Sequence, residues 1–217
     1  MGKMILKELS LIFNELSFFV FLTCFILYFI LFVQALKTSK PTKVKILKLI
    51  YVNWVKSRLE EEDPITAVQA LRNFIMGNST FVSALFILLG ILVGFYSSDL
   101  PEEDLFLNLE FLPLDLVRIT ANIGMILFCL FNFIMSIRYA TRLSLLITGK
   151  PREFFTKQYE GIELTRSTLV SAQHHWSYGV RGLFYLAACL FWFVNSILFM
   201  FISVIVTVYL LISHDMI

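Results

Sequence analysis

The sequence is short of charged residues, and this shortage excludes an ordinary soluble domain. Only 16% of its 217 residues are charged and 58% are hydrophobic, whereas about a quarter of the residues in a soluble domain carry charge. A soluble domain of this length leaves much of its surface in water, so its core cannot bury so many apolar side chains. The composition therefore predicts an integral membrane protein.

Residue types that carry catalysis or hold metals are also scarce. The three cysteines, Cys24, Cys129 and Cys189, each lie inside an apolar run without the spacing of a disulfide or a metal site. His174 and His175 are adjacent, so on a helix they point about 100° apart and cannot face one ligand. Nucleophile-elbow, phosphate-loop and dinucleotide-binding motifs are absent from the sequence. We expect no enzyme activity, no cofactor, no metal and no nucleic-acid partner.

Four apolar runs are long enough to cross a bilayer, which takes about 20 helical residues. They cover residues 17–36, 79–96, 116–137 and 183–212, and the fourth is long enough that it should tilt or project from the membrane. The alternating pattern of a membrane barrel does not occur in them. The predicted fold is all-α: one membrane domain over residues 1–217 with four transmembrane helices and additional amphipathic cytoplasmic helices.

The charge of the connecting segments predicts the orientation in the membrane. Residues 37–78 hold eight basic and four acidic residues, and residues 138–182 hold seven and three. Residues 97–115 hold six acidic residues and no basic one. Because basic loops stay in the cytoplasm, we expect a multi-pass protein with two cytoplasmic segments, one external acidic loop, and both termini outside the cytoplasm.

The segment "KVKILKLIYVNWVKSRLEEE" after the first run reads as an amphipathic helix with a basic face. Its lysines lie opposite an apolar stripe made of Val44, Leu47, Ile50 or Tyr51, Trp54 and Val55. Such a helix suits the surface of an anionic leaflet. Packing against a neighbouring subunit is the alternative, and the pattern does not separate the two.

Helix boundaries are marked at two points in the cytoplasmic segments. Asp63 is a candidate N-cap, and Pro64 then occupies the first helical position of a helix that continues into the second span. Gly149, Lys150 and Pro151 should end the helix that leaves the third span.

Polar side chains inside the apolar runs should face the helix bundle, because lipid offers them no hydrogen-bond partner. Asn132 and Ser136 share a stripe on the third run, and Trp192 and Asn195 share one on the fourth. We expect an intramembrane polar layer in which Asn132 and Asn195 point inward. Its role is either to join helices or to line a polar pathway.

Two glycines one helical turn apart, Gly90 and Gly94, allow close approach of two helices. The approach can occur within the protomer or between copies.

Arginines gather at the predicted cytoplasmic ends of three spans. Arginine suits bidentate contact with phosphate or carboxylate, and ordinary membrane anchoring or pairing with the acidic residues 60–63 are the alternatives. The candidate site for an anion or a lipid headgroup comprises Arg72, Asn73, Arg138, Tyr139, Arg142, Arg181 and Tyr185.

Three stretches resemble domain-of-unknown-function family 599, a family of small four-span membrane proteins. They are "VQALRN" before the second span, "SIRYATRLSLLI" after the third and "YGVRGLFYLAACLFW" entering the fourth. The family often has a Gly-Pro step after the tryptophan, where this chain has Asn195-Ser196. The resemblance implies an architecture and a residue set but no reaction; the set falls on Arg72, Asn73, Arg138, Tyr139, Gly179, Arg181, Tyr185 and Trp192.

These observations lead to a functional expectation with one main alternative. The first hypothesis is a non-enzymatic, oligomeric channel- or transporter-like protein with an arginine-rich anion or phosphate site on the cytoplasmic side. The alternative is a membrane scaffold or assembly subunit that binds anionic membrane lipids or a partner membrane protein. We expect a homo-oligomer, because polar stripes on a thin four-span protomer are better buried between copies. No catalytic constellation supports a third possibility, an enzyme acting on a lipid headgroup.

Overall fold

The computed structural model describes residues 2–37, 43–60, 64–97, 105–108, 113–153, 155 and 160–212. All of its regular elements in these ranges are helical, and only two isolated β-bridges occur among them. The all-α prediction is therefore confirmed. The helices are α1 (Gly2–Lys37), α2 (Lys43–Glu60), α3 (Pro64–Ser97), α4 (Leu114–Thr148), α5 (Gly161–Leu190) and α6 (Ser196–Leu210).

Three helices are long and apolar enough to cross a membrane. They are Leu11–Ala35 in α1, Pro64–Phe95 in α3 and Leu114–Thr148 in α4. The third contains the predicted span 116–137, and the first two cover the predicted spans 17–36 and 79–96 except for the last residue of each. Together they are consistent with a multi-pass membrane protein. Many large apolar side chains on them are exposed on the protein surface, as expected where lipid replaces water.

The predicted fourth span, residues 183–212, is not one continuous helix. α5 ends at Leu190, a 3-10 turn covers Phe191–Phe193, and α6 begins at Ser196. Asn195 lies between them in an extended conformation, and its side-chain oxygen accepts hydrogen bonds from the backbone N–H groups of Ile197 (2.8 Å) and Leu198 (3.3 Å). An asparagine that caps a new helix ends the preceding one, so the expectation of a single tilted helix is corrected.

Both predicted helix boundaries agree with the structure. α3 begins at Pro64, and α4 ends at Thr148, directly before Gly149. Asp63, the predicted N-cap, lies outside the described residues, as does most of the acidic segment 97–115.

The chain divides into two compact units, each with its own core. Unit 1 comprises Met1–Thr42, Ile87–Leu127 and Arg181–Ile217. Unit 2 comprises Lys43–Phe86 and Phe128–Val180. α3, α4 and α5 therefore contribute residues to both units.

The core of unit 1 is built from aromatic rings where α1 packs against α6. Phe21 meets Phe199 at 5.1 Å between ring centroids, and Tyr185 of α5 lies edge-on to Phe25 at 5.1 Å. Such edge and tilted arrangements of rings add to the packing energy of the buried area.

The core of unit 2 joins α2 to the ends of α3 and α4 and to the start of α5. Its buried members are Val55, Ala67, Leu71, Leu143, Ile147 and Leu169. Tyr51, Trp54 and Leu59 of α2 pack against them. The predicted apolar stripe of α2 is therefore divided, because its C-terminal half is packed while Leu47 and Ile50 are exposed.

Candidate functional site

Unit 2 carries a strong excess of basic residues. Its described residues include eleven Lys and Arg and only four Asp and Glu. The acidic ones are Glu60, Glu153, Glu160 and Glu163. The basic ones are Lys43, Lys45, Lys48, Lys56, Arg58, Arg72, Arg138, Arg142, Lys150, Arg152 and Arg166.

The residues of the predicted arginine site do not all belong to one unit. Arg72, Arg138 and Arg142 belong to unit 2 and are exposed. Arg138 and Arg142 lie one turn apart on α4 and so share a face of that helix. Asn73 is also exposed.

Arg181 and Tyr185, the other two members of the predicted site, are buried in unit 1. The guanidinium carbon of Arg181 lies 4.4 Å from the ring centroid of Phe32, a cation–π contact. The hydroxyl of Tyr185 shares a hydrogen bond of 2.9 Å with Thr207 of α6. Both side chains therefore help to hold α1, α5 and α6 together inside unit 1.

Two polar residues of α4 in unit 2, Asn132 and Ser136, hydrogen-bond to α5. The oxygen of Asn132 lies 3.0 Å from Nδ1 of His175, while its amide nitrogen donates to the carbonyl of Phe128 at 2.9 Å. Ser136 donates to the carbonyl of Ala172 at 2.9 Å. These bonds give both side chains a packing role in the unit.

His175 is the centre of this packing. Its ring stacks on Tyr139 at 5.5 Å, so Tyr139 is half-buried against α5. Because the oxygen of Asn132 accepts, the Nδ1 atom of His175 carries the proton and donates it. Burial lowers the pKa of His175, since a charged imidazolium is poorly solvated there.

The inward orientation expected for Asn195 is wrong. Its side chain is exposed and is occupied in capping α6. Trp192, its predicted companion, is fully buried in unit 1, where it stacks on Phe18 (5.3 Å) and Phe199 (4.9 Å).

A polar cluster around Asn14 in unit 1 was not predicted. The side-chain oxygen of Asn14 accepts from Arg118, from the indole N–H of Trp192 and from the hydroxyl of Ser196. Arg118 also pairs with Asp115 at 3.0 Å. One signal was available in the sequence, because Arg118 lies inside the predicted third span, three residues after Asp115.

Gly90 and Gly94 do not mark a close helix approach within the protomer. A Cβ atom added at either glycine would meet nothing within 4 Å in the part of the chain that the structure describes. Gly179 is tightly packed instead, because a Cβ there would lie 2.9 Å from the ring of Phe133. Self-association through Gly90 and Gly94 stays a prediction.

Unit 2 contains a cavity of about 490 Å³. All of its described lining residues belong to the two segments predicted to be cytoplasmic. α2 contributes Arg58 and Leu59, α3 contributes Pro64, and α4 contributes Ile147 and Thr148. The turn after α4, residues 150–153, completes the wall with Lys150, Pro151, Arg152 and Glu153. Among these described lining residues, Arg58, Lys150 and Arg152 are cationic and Glu153 is anionic.

Comparison with known sequences identifies one family. A family of proteins of unknown function, DUF599, matches residues 16–217. No curated protein and no solved structure matches the chain. The match covers nearly the whole chain and includes the three stretches that carry the resemblance, so the chain belongs to the DUF599 family.

Proposed function

We propose that this protein is a membrane scaffold that binds anionic lipid headgroups through the basic surface of unit 2. The exposure of Arg72, Arg138 and Arg142 carries this proposal. None of the three makes an ion pair with a residue that the structure describes. Exposed guanidinium groups at the ends of spans suit the phosphates of an anionic leaflet.

The first half of α2 supports the same function. Leu49 is 68% exposed and Ile50 is 54% exposed, although both are large apolar side chains. Lys43 and Lys48 are exposed on the same stretch. Apolar side chains interspersed with lysines on one helix are typical of a segment that lies in the headgroup region of a bilayer.

A channel- or transporter-like activity is the competing hypothesis. It needs polar side chains that line a path, whereas Asn132 and Ser136 form hydrogen bonds between α4 and α5. This use of the polar side chains supports a packing role, and we therefore place the scaffold function first.

The test is selective retention of anionic lipid by the full chain. The protein is incubated in mixed micelles of phosphatidylcholine and phosphatidylserine, and the retained lipid is quantified by mass spectrometry. Each basic group near an anionic surface contributes about 1 kcal/mol, so the Arg138→Gln/Arg142→Gln variant should bind phosphatidylserine roughly 30-fold more weakly.

The matched control is the Arg138→Lys/Arg142→Lys variant, which keeps the charge and should keep most of the binding. Equal retention of both lipids by the wild-type chain would contradict the scaffold function. Anion flux through proteoliposomes that the glutamine variant abolishes would favour the channel-like hypothesis instead.

A further inference from the structure

We propose that the first half of α2 inserts into one leaflet of the membrane as an apolar wedge, and that it directs the protein to membranes in which this leaflet is convex and loosely packed. The inference depends on three exposed apolar side chains, Ile46, Leu49 and Ile50, and on no arginine. It rests on the proposed function only in that unit 2 meets a lipid leaflet.

The three side chains form an apolar face that the core of unit 2 does not use. Their spacing of three and four residues places them on one side of α2. Val55, which is fully buried in the core, follows Ile46 by about two and a half helical turns. Ile46 therefore points away from the core, and a second apolar face lies on the outer side of the helix.

The connection to α3 places this face near the predicted membrane boundary. α2 ends at Glu60 and α3 begins at Pro64, and both helices contribute to one core. Helices joined by so few residues and packed together run antiparallel. At about 1.5 Å per residue, the apolar face lies about 15 to 21 Å before the end of α2. An equal distance along α3 reaches residues 74–78, directly before the predicted second span, 79–96.

A lipid leaflet fits this face better than a second copy of the chain. Residues 43–50 hold three lysines and no acidic residue, so two copies of the face would bring like charges together. In a leaflet, lysine side chains extend to the headgroups while their aliphatic stems and the neighbouring apolar side chains stay near the acyl chains. Charge complementarity therefore favours lipid as the occupant.

Insertion at this level links the protein to membrane curvature. A segment that enters the headgroup region of one leaflet adds volume to that leaflet only. The binding of such segments is sensitive to curvature, because a convex leaflet has gaps between its headgroups that large apolar side chains can fill.

The depth of the face is measured with single cysteines at two exposed positions of α2. Leu49→Cys places a fluorophore on the wedge, and Lys56→Cys, about 10 Å farther along the helix, is the matched control. The full chain is reconstituted in phosphatidylcholine bilayers that contain a lipid with a nitroxide quencher near its headgroup. Labelling of the wild-type chain sets the background from its three cysteines. We expect severalfold stronger quenching at Leu49→Cys than at Lys56→Cys.

Two results would overturn the insertion. Equal quenching at the two positions would show that the apolar face stays in water. A label at Leu49→Cys that is shielded from water but not quenched by lipid would assign the face to a second copy of the chain.

The preference for curvature is tested in thin tubes drawn from giant phosphatidylcholine vesicles that contain the full chain. Labelling of Lys150→Cys with an impermeant fluorophore from outside restricts the signal to molecules in which this exposed position faces outward. The protein density in the tube should exceed that in the parent vesicle. Leu49→Gln/Ile50→Gln should reduce the excess severalfold, whereas Leu49→Ile/Ile50→Leu keeps the apolar area and should keep the enrichment.

The surface variant Arg138→Gln/Arg142→Gln separates this inference from the scaffold function. In tubes without anionic lipid it should be enriched as strongly as the wild type, even though it loses phosphatidylserine in micelles. Wild-type enrichment in tubes together with equal retention of both lipids in micelles would contradict the scaffold function and leave the wedge intact. Equal densities of the wild-type chain in tube and vesicle, or enrichment lost in the arginine variant, would overturn the wedge.

Discussion

Arg118 donates a hydrogen bond of 2.6 Å from Nη2 to the side-chain oxygen of Asn14, joining α4 to α1 across 104 residues of sequence. The indole N–H of Trp192 reaches the same oxygen at 3.2 Å, and the hydroxyl of Ser196 also donates to it. One amide oxygen of α1 therefore organises the start of α4 and the break between α5 and α6 in unit 1.

Replacing Asn14 by Leu should destabilise the protein. It leaves the buried indole N–H of Trp192 and one N–H of Arg118 without their acceptor, which costs about 2–3 kcal/mol. Thermal unfolding in detergent measures the loss. Asn14→Asp retains the acceptor oxygen and should unfold close to the wild-type temperature; a Leu variant as stable as the wild type would show that the cluster is dispensable.

Replacing Asn195 by Ala should weaken the start of α6. The change removes the side-chain oxygen that accepts from Ile197 and Leu198, at a cost of about 1 kcal/mol. Asn195→Ser restores a capping oxygen and serves as the control. If the Ala and Ser variants melt at the same temperature, the cap contributes nothing to stability.

Acidification should destabilise unit 2 through His175. Its pKa is lowered in the folded protein, so below its ordinary value near 6.5 the unfolded chain binds the proton more readily than the folded one. Stability attributable to this group is present above that value and is lost as the pH falls through the window beneath it. Melting temperatures recorded from pH 8 to pH 5 should fall less steeply for His175→Gln, and identical slopes would refute the assignment.

Replacing Gly179 by Ala should strain the contact between α4 and α5. Phe133 is fully buried and stacks on Phe81 at 5.1 Å, so its ring has little room to yield to a new methyl group. We expect a loss of about 1–3 kcal/mol. Gly124→Ala is the matched control, because that site is open and alanine is the better helix former, which should add up to about 1 kcal/mol.

Hydropathy, together with the prolines and glycines that begin or end helices, was sufficient to predict much of the fold. The first three spans, the start of α3 at Pro64 and the end of α4 before Gly149 all follow from local patterns of apolar residues, proline and glycine. These signals act over one or two helical turns, so a single sequence contains them completely.

Those local patterns did not predict the helix break at Asn195, between α5 and α6. The run 183–212 contains neither proline nor glycine, and its mean hydropathy is that of a continuous span. Whether an asparagine bonds to a neighbouring helix or caps its own depends on the backbone around it. The same limit applies to Asn14 and Arg118, which meet only after distant segments have packed.

The glycines show that a local motif can also predict a helix contact that the protomer does not make. Gly90 and Gly94 have the spacing of a packing motif but lie open on the surface, whereas Gly179 lacks that spacing and a Cβ added there would lie 2.9 Å from the ring of Phe133. The close approach of two helices depends on residues of both, so the sequence around one glycine does not predict it.

The proposed scaffold function requires that the two predicted cytoplasmic segments, residues 37–78 and 138–182, meet the same leaflet of one membrane. Single cysteines introduced at Lys48 and Lys150, both exposed, are labelled with a membrane-impermeant maleimide in sealed vesicles of each orientation. We predict that both positions react from the cytoplasmic side and that neither reacts from the other. Labelling of the two positions from opposite sides would contradict a shared basic surface and the function proposed for it.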